Sequence, residues 1–333
     1  MRNIILRVGR FVVYVLLNIS LLYLKPLLRR FRAFDFMLLI YPGTREDIIS
    51  YLLFDKLRSC IPVISVVGLV QKGEKTGRGL VLISKYSAEE ILNRKAQEFL
   101  KLAKELGNSL GVKKIALAGR LSHLLTQTND SLFITGKKGT VFAILESVRK
   151  TMNEKALPYS HTKIGILGIG FVGRAVLRHL QTFGFATVIG VDLRFKSLRI
   201  KDQQRVKMGP NFSLLSECDL VVVLSPQGDD IKEAIPYLKQ GVVVLDETYP
   251  PISKRNLGRI QSKGEVYKVV LELKGVRFFP HLPKFKNKWL PGCVIEALLV
   301  SNSVKNWRSQ NEFNKIASEM GLEAFPVRPK SES

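Results

Sequence analysis

The sequence predicts an α/β fold of two domains behind a basic, apolar N-terminal segment. Three observations predict it. From Phe36 onward, short apolar strands alternate with amphipathic helices. After Pro158 a second such series starts with "TKIGILGIGFVGRAVLRHLQTFG". Residues 1–32, by contrast, carry Arg2, Arg7, Arg10, Lys25, Arg29, Arg30 and Arg32 and no acid, around the uncharged run "FVVYVLLNISLLYL".

The chain has 333 residues, of which 46% are hydrophobic and 24% charged, enough for two domains with proper cores. Its 52 Lys+Arg against 28 Asp+Glu leave a net charge of +24. Such a bias selects acidic partners: an anionic membrane surface, an acidic protein or nucleic acid. Nucleic acid is set aside, because no recognition motif accompanies the charge. The cysteines Cys60, Cys218 and Cys293 are odd in number and form no CxxC, which fits the reducing cytoplasm and not a disulfide framework. The histidines His123, His161, His179 and His281 are scattered, so no metal site is expected.

Residues 1–33 form the first segment. The run between Arg10 and Lys25 has fourteen residues, short of the roughly 20 that a spanning helix needs. A snorkelling Lys25 would extend it to Leu28. No small-residue cleavage pattern follows it, as a signal peptide requires. The preferred reading is a helix lying on an anionic membrane surface, its arginines on headgroups. A span through residues 11–28 and a buried core helix stay open.

Residues 34–158 read as an α/β domain. "FMLLIYPG" is a strand ending in a turn, and "TREDIISYLLFDKLR" a helix capped by Thr44. "PVISVVGLV" and "GRGLVLISK" are strands around the turn "QKGEKTG". "SAEEILNRKAQEFLKLAKELG" is a long helix capped by Ser87 and ended by Gly107. "KKIALAG" is a strand, and "GTVFAILESVRKTMNEKA" a helix leading to Pro158.

Residues 159–282 read as a Rossmann unit. The turn Gly168-Ile-Gly170-Phe171-Val172-Gly173 follows a strand and opens a helix, and Asp192 lies 24 residues after Gly168. Gly168 allows the tight turn, Gly170 lets the backbone approach a pyrophosphate, and Gly173 lets the helix pack on the strand. Asp192 suits the ribose hydroxyls of NAD, whereas Arg194 and Lys196 suit the 2′-phosphate of NADP, so NADH and NADPH both remain possible. "CDLVVVLSP", with Ser225 at its end, and "GVVVLDETYP", with Thr248 and Tyr249, are continuous apolar strands of a buried parallel sheet. Ligands bind beyond the carboxyl ends of such strands.

Residues 283–333 form a C-terminal helical segment expected to pack back on the first domain. It contains "WLPGCVIEALLVS". Pro291 suits a helix's first turn, so Cys293 stands where the macrodipole favours a thiolate. Its alternative reading is a small buried hydrophobe. Cys218, just before a buried strand, reads as packing.

On these stretches the chain resembles the cyanobacterial-type, aldehyde-forming fatty acyl-(acyl carrier protein) reductases, from about Phe36 to Pro326. "GCVIEALLV" is similar to that family's "ACFAEAMLL", "LFITGKKGTVFAI" to "RFTTGNTHTAYVI" with Thr135, Gly136 and Thr140 retained, and "VVLDETYP" to "VLIDGGYP". The basic N-terminus, Lys137-Lys138, Arg120 and Asp192 depart from its pattern. The resemblance implies a two-domain fold, the Rossmann unit plus an α/β acyl-substrate domain. It also implies reduction of an acyl-ACP or acyl-CoA thioester to an aldehyde by NADPH or NADH, with Cys293 as acyl-carrying nucleophile. His281 is the candidate acid, and Thr135, Gly136, Thr140 and Tyr249 are candidate substrate contacts. An acidic carrier would then dock on Lys137, Lys138, Lys284, Lys286 and Lys288. The alternatives are a shikimate- or methylene-tetrahydrofolate-type dehydrogenase without a covalent step, and a non-enzymatic nucleotide-binding protein at the membrane.

Overall fold

The computed structural model describes residues 2–43, 62–71, 78–127, 130–194, 206–282, 288–301, 307 and 309–329. The helix expected from Thr44, the turn "QKGEKTG" beyond Gln71, Cys60, Lys196, Lys284 and Lys286 lie outside the described residues. The chain divides into two compact units. Unit one comprises Met1–Gly139 and Glu272–Leu322; unit two comprises Thr140–Leu271 and Glu323–Ser333.

Unit one is built on a sheet of strands β1 (Phe36–Ile40), β2 (Ile64–Gln71), β3 (Gly79–Ser84), β4 (Lys114–Leu117), β5 (Phe133–Ile134) and β12 (Arg277–Phe279), in the order β12-β2-β3-β1-β4-β5. β1 runs parallel to β3 and β4, and β2 pairs antiparallel with β3 and β12. Phe36, Met37, Leu38 and Leu39 are all fully buried, which is why this central strand reads as an unbroken apolar run. Gly79 lies opposite Phe36, and a Cβ there would fall 2.3 Å from the ring.

One face of the sheet carries the long helical stretch after Ser87. Ser87 Oγ accepts from the Glu90 amide, and Glu90 Oε2 accepts from the Ser87 amide, a complete capping box. A π-helical turn over Ile91–Lys95 leads into helix α2 (Ala96–Leu110). Gly107 does not end this helix. It is buried inside it, where a Cβ would meet Ile115 Cδ1 at 2.8 Å, and Gly111 with φ of +68° makes the actual stop. The glycine expected to terminate the helix serves close packing instead.

Helix α6 (Gly292–Ser301) packs on β1, β4 and β5. Val294, Ile295, Leu298 and Leu299 are buried to 1% exposure or less, each contributing about 1.5–3 kcal/mol of transfer free energy. Helix α7 (Gln310–Glu319) follows, with a second capping box between Ser309 and Glu312.

The N-terminal helix α1 (Arg2–Arg30) belongs to unit one and packs on β2 and α2. Leu21 joins the core of the unit, with Leu17 and Leu28 half-buried against it. Asn18 makes the most specific contact. Its Oδ1 accepts from the Val66 amide at 2.9 Å, and its Nδ2 donates to Val66 O at 2.8 Å. Strand β12 pairs with β2 only from Leu69 to Gln71, so the Asn18 amide stands in for a strand neighbour on the remaining edge.

Unit two is built on a second sheet, in which β6 to β11 pair in parallel. Its strands are β6 (Lys163–Leu167), β7 (Thr187–Val191), β8 (Val206–Gly209), β9 (Leu220–Val223), β10 (Val242–Asp246), β11 (Gly264–Leu273) and β13 (Leu322–Val327), ordered β13-β11-β10-β9-β6-β7-β8. From β6 the chain steps outward through β7 and β8, then returns to place β9, β10 and β11 on the other side. This is the doubly wound order, with its reversal between β6 and β9. Helix α3 (Lys137–Glu154) leads into the unit; helices α4 (Gly173–Leu180) and α5 (Lys254–Gln261) follow β6 and precede β11. Cys218 is fully buried with its Sγ against Gly165, and burial pushes its thiol up to about 12. It is a packing residue, as the sequence indicates.

Candidate functional site

In a doubly wound sheet the ligand crevice opens where the strand order reverses, beyond the carboxyl ends of the strands. Here the loops after β6 and β9 meet at that point. Gly168 has φ of +101°, and a Cβ on it would fall 2.7 Å from Leu224 C and Ser225 N, so only glycine fits. Gly173, at the start of α4, would drive a Cβ to 2.0 Å from Gly168 O. Gly170 faces open space, with Arg194 Nη2 the nearest atom at 3.9 Å. Phe171 and Val172 are half-buried between the last two glycines.

Asp192, 6% exposed, sits at the end of β7. Its Oδ2 accepts from the Ile169 amide at 2.8 Å, and its Oδ1 from the Arg194 amide at 2.8 Å and Arg194 Nε at 3.4 Å. The carboxylate therefore shapes the glycine turn and holds the exposed Arg194 guanidinium beside Gly170. These residues fit a dinucleotide: a cradle that only a side chain at Gly170 would fill, a helix N-terminus behind it, and an acid with lone pairs to spare for ribose hydroxyls. Arg194 sets a cation beside Gly170 and would pair a phosphate bound there. Acid and base are both in place, Asp192 suited to ribose hydroxyls and Arg194 to a 2′-phosphate.

Beyond β9 and β10 lies a second set of groups. Ser225 is half-buried, and its Oγ donates to Gln227 O at 2.9 Å. Asp246, 3% exposed, accepts from Thr248 N at 2.9 Å and Thr248 Oγ1 at 2.5 Å through Oδ1, and from Ile252 N at 3.2 Å through Oδ2. Lys268 Nζ lies 3.7 Å from Asp246 Oδ2 and donates to Thr248 O at 2.5 Å. These bonds fix the loop that carries Glu247 and Tyr249. Glu247 is anchored by its amide to Val223 O at 3.2 Å. Burial pushes its carboxyl up to about 7, against the pull of the nearby Lys268 cation. A carboxyl in that range can give or take a proton near neutrality.

Sequence reasoning named Ser225, Thr248 and Tyr249 here and passed over Asp246, Glu247 and Lys268. A signal was present, because two adjacent acids end the apolar run "GVVVLDE" at the carboxyl edge of a buried strand.

The remaining candidates fall in unit one, except Thr140, which lies at the start of unit two's share of α3. Thr135 Oγ1 accepts from the Lys137 amide at 3.3 Å, a capping contact at the start of α3. Gly136, with φ of +72°, is pressed against Cys293: a Cβ on it would lie 2.4 Å from Cys293 Cβ. Gly139 is as close to Gly292, its Cβ position 2.1 Å from Gly292 O. Glu296, 9% exposed, accepts from the Lys138 amide at 3.0 Å. Burial raises its pKa, while the amides of Lys138 and Gly139 oppose the rise. Cys293 does open a helix, as its sequence context indicates, but it is 5% exposed. His281 is exposed, with Nδ1 2.8 Å from Leu282 O.

Comparison with known proteins corrects the expected reaction. Residues 140–237 match the model of the D-isomer specific 2-hydroxyacid dehydrogenase NAD-binding domain. No curated protein matches the chain. Similar solved structures include three enzymes. A D-isomer specific 2-hydroxyacid dehydrogenase from Lactobacillus delbrueckii ssp. bulgaricus, NAD complexed, is 11% identical over 70% of this chain and 79% of that one, with a TM-score of 0.31. A D-lactate dehydrogenase from Treponema pallidum is 14% identical over 70% and 78%, with a TM-score of 0.31. An NAD-dependent malic enzyme from Thermotoga maritima is 12% identical over 75% and 67%, with a TM-score of 0.42.

The domain match makes unit two a nicotinamide-dinucleotide-binding domain and places the chain among NAD(P)-dependent oxidoreductases. It overturns the resemblance to acyl carrier protein reductases, and with it acyl-thioester reduction through Cys293 to an aldehyde. The shikimate- or methylene-tetrahydrofolate-type and non-enzymatic alternatives do not agree with it either. The structure supplies a physical reason for the misleading similarity. The Cys-x-x-Glu-Ala pattern of α6 is a packing pattern: Cys293 seats against Gly136, and Glu296 caps α3. Cys293→Ala is accordingly expected to lower stability by about 1–2 kcal/mol and leave dinucleotide affinity unchanged, as thermal melts and calorimetric titration would read.

Proposed function

We propose that the chain is a nicotinamide-dependent dehydrogenase that interconverts a small 2-hydroxy acid and its 2-oxo acid. The substrate class is taken from the family whose NAD-binding domain matches residues 140–237. The observation that carries the chemistry is the place of Glu247, directly after β10 at the carboxyl edge of the sheet, where burial pushes its carboxyl up to about 7. The bound dinucleotide supplies the hydride acceptor, or the donor in reverse. Glu247 takes the hydroxyl proton of the alcohol and returns it in the other direction. Lys268 holds the Glu247–Thr248 loop and adds positive charge for an acidic substrate. Tyr249 and Ser225 follow the carboxyl ends of β10 and β9. We place the enzyme in the cytoplasm, where nicotinamide dinucleotides and reduced thiols coexist.

The test is a coupled pair of measurements. Purified protein is titrated with NAD and NADP, then assayed with a panel of 2-hydroxy acids and 2-oxo acids for change in nicotinamide absorbance. Turnover of at least one pair is expected. A protein that binds dinucleotide yet turns over no member of either panel defeats the proposal.

A further inference from the structure

Helix α1 is apolar on opposite sides. One side, carrying Tyr14, Leu17, Asn18, Leu21 and Leu28, is committed to unit one. These positions recur every three or four residues, as one face of a helix must. The other face presents Val12, Leu16, Ile19, Leu22, Tyr23 and Leu27, each between 49% and 75% exposed. An aqueous surface does not hold a continuous apolar stripe of this length without a partner.

We propose that this stripe lies in the headgroup–acyl boundary of an anionic lipid bilayer, with α1 in the membrane plane and unit one on its aqueous side. Charge chooses lipid over other occupants. Arg29, Arg30 and Arg32 are exposed at the end of the helix, Lys25 is half-buried beside them, and no acid precedes Asp35. Tyr23 and Phe31, both above 70% exposed, are the amphipathic and aromatic side chains that settle at such a boundary. A second copy of this helix would bring the same arginines together, which disfavours a dimer.

The segment Phe11–Arg30 is long and apolar enough to cross a bilayer. Its packing argues for the in-plane arrangement. A crossing helix would have to withdraw Tyr14 and Leu21 from unit one and carry Asn18 into hydrocarbon. The Val66 amide and carbonyl at the edge of β2 would then lose their partner.

The full chain is floated with phosphatidylcholine vesicles containing or lacking phosphatidylglycerol. Binding is expected only to the anionic vesicles, with release by about 0.5 M salt and by alkaline carbonate. Ile19→Glu with Leu22→Glu alters exposed side chains only; it is expected to reduce the bound fraction about tenfold or more with the melting temperature unchanged. Arg29, Arg30 and Arg32 replaced by glutamine should abolish the preference for anionic lipid. Four results each overturn the proposal: no binding to anionic vesicles, undiminished binding by the glutamate variant, a carbonate-resistant inserted helix, or a dimer in solution that the glutamate variant dissociates.

Discussion

Glu247→Gln is expected to slow turnover by about 10²–10⁴-fold while making the protein more stable at and above neutral pH. Both effects have one cause. Burial pushes the folded carboxyl up to about 7, from an ordinary value of 4.5. Between these values the folded state keeps a proton that the unfolded chain has released. Stability therefore falls as pH rises through this window and levels off above it. The full difference is on the order of 3 kcal/mol. Glutamine removes that contribution, so from pH 5 to pH 8 (roughly the window of the shift) the variant's urea midpoint should fall less than the parent's. The same variant should lose the limb of the pH–rate profile near 7. A variant with normal turnover and a parent-like pH dependence would remove Glu247 from the mechanism.

Gly173→Ala should cost the chain its cofactor. The new Cβ would fall 2.0 Å from Gly168 O, a backbone atom that cannot swing aside. Relief requires α4 to move off the glycine turn, and the amides around Gly170 then lose their aim at a pyrophosphate. We expect calorimetric dinucleotide affinity to fall about 30-fold or more, near 2 kcal/mol. Unit one, which contains none of these residues, should melt as before. Unchanged affinity would show that the phosphates lie elsewhere.

Much of the fold was legible because its signals are local. Continuous apolar strands, the Ser87 capping box and the glycine turn each depend on a few adjacent residues. Gly107 was misread because glycine ends helices and also permits close packing, and only the position of Ile115 decides which. Asn18 could not be read at all, since its partner, Val66, is 48 residues away. The site divided along the same line. The dinucleotide turn declared itself in six residues, whereas Glu247 owes its proton affinity to burial that no neighbour in sequence reveals. Cys293 shows the opposite hazard. A local pattern shared with a thioester-forming family records how one helix packs against the start of another.

The contact between Gly139 and Gly292 bears on how the chain is made. Unit one is assembled from Met1–Gly139 and Glu272–Leu322, so a growing polypeptide releases its first strands long before α6 emerges. Until then the surface of β1 and β4 that α6 covers is open, and its apolar residues are exposed to other nascent chains. Ribosomal order thus makes α6 the closing piece, and a chain truncated before Gly292 should be a client for chaperones and proteases, not a smaller stable protein.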